Sequence, residues 1–171
     1  VLYEIFTSAD VAVTSTAKTV LMFTYLNDAT SAPLVWRVVD WDIDIEGAAG
    51  TTSALVELVE STQASAGTTT ADNTAFRQLA GPKAVNPTTA QTSGGYGCGI
   101  NRNYTAEPTV LTPLIGPRKF LQGSSWTKQF PLGLQPITPS PIGGSKGIGI
   151  RVTVPTSANC RASLQLMLGG A

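Results

Sequence analysis

The chain contains no histidine. That absence removes Ser-His and Cys-His nucleophile pairs from anything one chain can build by itself. It also removes the zinc sites that depend on imidazole. Charge is scarce: Asp, Glu, Lys and Arg make up 13% of the residues, about half the usual share. Eleven basic and eleven acidic residues cancel to a net charge of zero. The excess of Lys and Arg that phosphate-backbone binding requires is lacking, so no nucleic-acid partner is expected. No run reaches the roughly 18 apolar residues of a membrane span, so no membrane partner is expected either. No basic segment followed by an apolar run opens the chain, which argues against a secretory signal. The two cysteines, Cys98 and Cys160, are too few for a four-cysteine metal site. They can pair or stay reduced. Cys160 lies in a strand-like run, where a buried thiol is the simpler reading.

What is present is alternation. The chain's 171 residues suit one domain, 1–171, long enough to bury a core without staples. Residues 1–17 are rich in Ala, Val, Thr and Ser and read as an N-terminal arm. Thr19 to Leu26 is β-branched and aromatic, hence a strand. In 34–46, Val35, Val39, Trp41, Ile43 and Ile45 fall on odd positions, while Asp40, Asp42, Asp44 and Glu46 fall on even ones. Strict alternation predicts a half-buried strand with one wet face. Residues 54–61 form an apolar run in which Leu55, Leu58 and Val59 would also suit a helix, but the Gly and Thr clusters on either side favour a strand. Residues 62–75 read as a loop and Thr74 to Ala80 as one helical turn stopped by Gly81-Pro82. Residues 86–106 read as a long irregular excursion. Short strands follow at 109–122 and 126–132. Gln135 to Pro141 is proline-rich and extended, an edge segment or a loop crossing the domain.

The end of the chain is strongly β. Ile148, Ile150, Val152 and Val154 alternate with Gly149, Arg151 and Thr153. Cys160, Ala162, Leu164, Leu166 and Leu168 alternate with Arg161, Ser163, Gln165 and Met167. A turn at 155–159 between them predicts a hairpin. About eight short strands with frequent Gly and Pro, and no amphipathic helix, give an all-β fold: a β-sandwich of jelly-roll form with long irregular loops.

Asp40, Asp42, Asp44 and Glu46 would lie on one strand face at about 6.6 Å spacing. The row reads as a solvated face, as a partner for basic residues of a neighbouring chain, or as a hard-cation site, with Asp40, Asp42 and Asp44 as the ligands. It does not match an EF-hand loop, because Ile45 stands where glycine is needed and Thr51 where the closing glutamate belongs. Same-face residues of one strand are also poor acid–base pairs for glycoside cleavage, which works across a cleft. Gly94-Gly95-Tyr96-Gly97-Cys98-Gly99 lacks the Lys-Ser/Thr of a phosphate-binding loop. Trp41 belongs to the core register. Trp36 falls on the other face beside Val38, as a subunit-interface residue or part of a second packed layer. Tyr96 and Tyr104 in the long excursion are further interface candidates. Trp36, Trp41, Trp126, Tyr96 and Tyr104 would be the platform of a sugar-binding surface, with Trp36 and Trp126 as its test residues.

Gly147 to Val154, the short turn, and Cys160 to Leu166 together resemble the closing hairpin of small virion proteins from tailed bacteriophages. The Ala/Thr-rich opening and the central Trp-containing strand are similar to those proteins too. Size and composition are most similar to the head decoration, or capsid-stabilising, type. That resemblance implies a β-rich domain, a homotrimer, bound in many copies to the major capsid protein on the outside of the virion and made in the bacterial host cytoplasm. It carries over no catalytic residue.

The resulting expectation is a non-enzymatic structural protein without cofactor or resident metal, whose sparsely charged surface is covered by other subunits. A carbohydrate- or receptor-binding β-sandwich module of a phage tail or fibre is the alternative. A carboxylate-based hydrolase centred on Asp42 is the third.

Overall fold

The structure is a computed structural model that describes residues 1–26, 35–47, 53–61, 70–72, 74–81, 98–108, 111–139 and 145–169. Among these, every regular element is a strand: β1 (Leu2–Phe6), β2 (Val11–Val13), β3 (Lys18–Leu26), β4 (Val35–Ile45), β5 (Ser53–Ser61), β6 (Thr70–Ala71), β7 (Phe76–Ala80), β8 (Cys98–Arg102), β9 (Leu111–Leu121), β10 (Ser125–Gln129), β11 (Ile137–Pro139), β12 (Ser145–Thr153) and β13 (Ala158–Gly169). They form two antiparallel sheets. The first runs β10-β4-β13-β1-β7, with β11 also on β4 and β2 also on β13. The second runs β6-β8-β3-β12-β5-β9.

The pairing is nested. β1 pairs with β13, β3 with β12, β4 with β10 and β5 with β9. First strand meets last, and each later pair lies inside the one before. Successive pairs alternate between the two sheets. A long antiparallel ribbon rolled up in this way is a jelly roll. The stretch between β5 and β9 contributes β7 beside β1 in the first sheet, and β8 beside β3, with β6 beyond β8, in the second. Asp72 ties this stretch to the chain's start: its Oδ2 accepts from Ser8 N at 3.1 Å, Ser8 Oγ at 2.5 Å and Arg102 Nε at 2.9 Å.

The alternating apolar residues face each other between the sheets, because that is the one arrangement that dries both inner faces. Ile148, Ile150 and Val152 of one sheet and Cys160, Leu164 and Leu166 of the other are completely buried. Trp36 bridges the layers, its ring 4.8 Å from Phe23 at 72° and 6.0 Å from Tyr3 at 54°. Edge-on contacts of this kind stabilise by about 0.5–1.5 kcal/mol each beyond area burial.

One end of the sandwich is knit by short connections. Val154 N donates to Thr14 O at 3.0 Å and Glu46 N to Asn159 O at 2.8 Å. The Gln122 amide donates to Thr156 O at 2.9 Å. Gly47 sits there with φ +125°, a conformation that L side chains rarely adopt.

Four expectations need correction. The segments 147–154 and 160–166 are strands but no hairpin: β12 pairs with β3 and β5, and β13 with β1, β2 and β4. The turn between them carries the chain from one sheet to the other. Residues 1–17 are no arm, since β1 lies inside the first sheet between β13 and β7. Phe76–Ala80 is a strand rather than a helical turn, because β1 offers its backbone as a partner over Leu2–Ile5 and pairing outweighs weak local helix preference. The excursion 86–106 contains a further strand, Cys98–Arg102, on β3. Gln135 to Pro141 contains the edge segment β11, paired with Val35–Arg37; residues 140–144 lie outside the described residues.

Candidate functional site

The wet face of the first sheet carries the acidic row of β4 beside Arg161, Ser163 and Gln165 of β13. β4 determines how. Asp40 pairs with Gln165 and Val38 with Leu166, so Val39 is one residue too many. This bulge shifts the alternation by one. Trp36 and Val38 before it and Trp41, Ile43 and Ile45 after it therefore all point into the core, each essentially unexposed. Trp36 is thus not an outward interface residue; it is central to the packing.

Beyond the bulge the acidic row is as alternation predicts. Asp40 and Asp42 are half-buried, and Asp44 and Glu46 are exposed. Their like charge is offset across the strands. The Ser163 hydroxyl donates to Asp42 Oδ2. Arg161 stands opposite Asp44 and donates to Asp10 Oδ1 at 2.6 Å. Gln129 and Gln165 flank Asp40. Burial raises the Asp40 carboxyl above its ordinary range, a hydrogen bond from the Trp41 backbone lowers it, and the charge of Asp42 raises it again. Asp40 Oδ1 and the Trp41 indole N–H are buried without a hydrogen-bond partner among the described residues. No group of three or more carboxylates or thiols converges on a common point among the described residues.

A groove of about 300 Å³ opens beside this row. Glu4 and Phe6 come from β1, Asp42 from β4, Arg77 from β7, and Arg161, Ala162 and Ser163 from β13, with Thr7 following β1. Register brings them together: Phe6 is opposite Ser163, Ser163 opposite Asp42, and Glu4 opposite Arg77. Arg77 Nε donates to Glu4 Oε2. Thr7 Oγ1 accepts from Ala162 N at 3.1 Å. Sequence reading placed Ser163 and Arg161 on the polar side of their strand, yet it missed the groove. Its walls come from four strands, and no local spacing encodes such a meeting.

A second apolar site lies where the bulge and the turn after β10 meet. Val1, Leu2, Val39, Ala80, Leu132 and Met167 line a depression of about 360 Å³. Pro131 O accepts from Leu134 N at 3.0 Å, and Gly133 at φ +84° completes the turn, as type II geometry requires. This turn holds Leu132 outward at 95% exposure and Leu134 at 73%. Ile137 and Leu79 are also exposed.

Of the remaining candidates, Tyr104 is buried and not an interface residue. Burial, and next the charge of Glu107, raises its phenol pKa. Tyr96 and residues 94–97 lie outside the described residues. Trp126 packs on Trp41 at 4.5 Å and 63°, so Trp36 and Trp126 do not form an open platform. Cys98 and Cys160 are buried thiols that form no disulfide; burial above all pushes the Cys160 thiol up to about 12. Near the knit end, Glu107 takes Thr19 N at 2.6 Å and Thr19 Oγ1 at 2.7 Å. Lys18 donates to Asn103 Oδ1 at 2.7 Å and Ala12 O at 2.9 Å. Those groups are committed to joining loop and strand.

Compared with protein-family models, curated proteins and solved structures, the chain matches none.

Proposed function

We propose that this chain is a structural protein that works by packing against other protein subunits, and that its setting is a phage capsid, where it decorates and stabilises the lattice of the major capsid protein. The carrying observation is the turn that holds Leu132 and Leu134 in solvent beside the depression lined by Val1, Leu2, Val39 and Met167. Apolar side chains displayed together on a rigid turn are stabilised by a covering surface, at roughly 1.5–3 kcal/mol per fully buried leucine. Jelly rolls serve capsids, lectins and cupins alike, so the fold supports the setting without deciding it. The low, balanced charge leaves no long-range repulsion between copies.

Native mass spectrometry and sedimentation over a range of concentrations test the assembly. A homo-oligomer, the trimer for choice, is expected, and Leu132→Asp with Leu134→Asp is expected to dissociate it. An antibody against the chain is expected to label the outside of virus particles from a producing culture. A monomer at every concentration, unlabelled particles and an inert double variant would together refute the reading.

A further inference from the structure

We propose that the groove between β1, β4, β7 and β13 is a binding site for one pyranose ring of a neutral saccharide. Such a site is independent of capsid assembly, and its lining is balanced in charge: Glu4 and Asp42 against Arg77 and Arg161. Opposite charges in equal number give the lining no net charge with which to select an anion or a cation, yet they offer strong donors and acceptors in alternation. A neutral polyol, which both gives and takes hydrogen bonds at every hydroxyl, matches such a lining better than a cation or an anion does.

The groups are held in place without being used up. Glu4 receives Arg77 on Oε2, and Asp42 receives Ser163 on Oδ2. One oxygen of each carboxylate is engaged in this way, and a carboxylate has acceptor capacity on both oxygens. Arg77 and Arg161 each donate through Nε to a carboxylate, which fixes the guanidinium plane and leaves the terminal N–H groups to a ligand. Ion pairing of this kind pre-pays the ordering of two long side chains, which lowers the cost of binding. Half-buried Phe6 adds an apolar surface for the C–H face of a sugar ring. The volume, about 300 Å³, lies at the small end of ligand pockets.

The test is saturation-transfer NMR on the whole chain with methyl glycosides of glucose, galactose, mannose and N-acetylglucosamine, and with a methyl glucuronide and a methyl glucosaminide as charged comparisons. Transfer to at least one neutral glycoside is expected. Affinity should fall about tenfold or more in Arg77→Gln with Arg161→Gln, since hydrogen bonds from charged donors are the strong ones. Both arginines are largely exposed, so the fold should survive. Lys128→Gln, on β10 outside the groove, should bind as the parent does. Silence from all the neutral glycosides, a preference for a charged one, or binding unchanged in the double arginine variant would overturn the proposal. None of these outcomes bears on the oligomeric state.

Discussion

Gly147 and Gly149 look interchangeable in the sequence, and the structure predicts that alanine separates them. Both lie on the outer side of β12, where Met22 of β3 lies over them, completely buried. A Cβ on Gly147 would meet Met22 Sδ at 2.6 Å and Cγ at 3.1 Å, and the Phe23 backbone carbonyl only at 3.3 Å. The thioether is the far end of a flexible side chain and can turn aside. A Cβ on Gly149 would meet Leu21 O at 2.6 Å, a backbone carbonyl inside the β3–β12 ladder. That atom moves only if the strands separate. Replacing glycine by alanine stabilises by about 0.4–1 kcal/mol through the unfolded chain, and overpacking costs about 1–3 kcal/mol. For Gly147→Ala the two nearly cancel. For Gly149→Ala overpacking wins, and a loss of about 2 kcal/mol is expected, a fall of roughly 4–8 °C in Tm. Urea melts followed by tryptophan fluorescence measure both. Met22→Ala in the same background should relieve any residual cost of Gly147→Ala and leave most of the cost of Gly149→Ala. Equal stability of the two variants, or Gly147→Ala as the worse one, would refute the steric argument.

Trp36→Ala should cost about 3–5 kcal/mol, as large-to-small changes in a filled core do, while Trp126→Ala on the edge strand should cost clearly less; chemical denaturation of the two variants settles the order. Asp40 gives a pH dependence. Its folded pKa is raised, so the folded chain holds that proton more tightly than the unfolded chain. The ionised group is therefore a cost above the raised value, relieved as pH falls through it towards the unfolded value of 3.8. Asp40→Asn should raise stability at pH 7 and bring no gain near the unfolded pKa, as paired urea melts would show. The same gain at both pH values would contradict that assignment.

The groove and the depression beside the exposed turn are lined by different residues. The first offers hydrogen-bonding groups held by ion pairs. The second offers bare leucines that only a covering surface dries. A jelly roll keeps both in fixed geometry because its nested pairs make every central strand answerable to two neighbours.

By itself, the sequence determined the fold class and the inner faces of β12 and β13. Alternation is a local property: a strand with one dry face must place apolar residues at every second position. Partner choice is not local. Nothing in Ile148–Val154 or Cys160–Leu168 states that they part into different sheets, since the turn between them serves either arrangement. The bulge at Val39 is equally silent in sequence, because an extra residue in one strand is defined only by the strand it faces. That single residue turned Trp36 from a surface candidate into the bridge between the layers. The groove of Glu4, Asp42, Arg77, Arg161 and Ser163 exists only because the ribbon rolls up and sets β1, β4, β7 and β13 side by side.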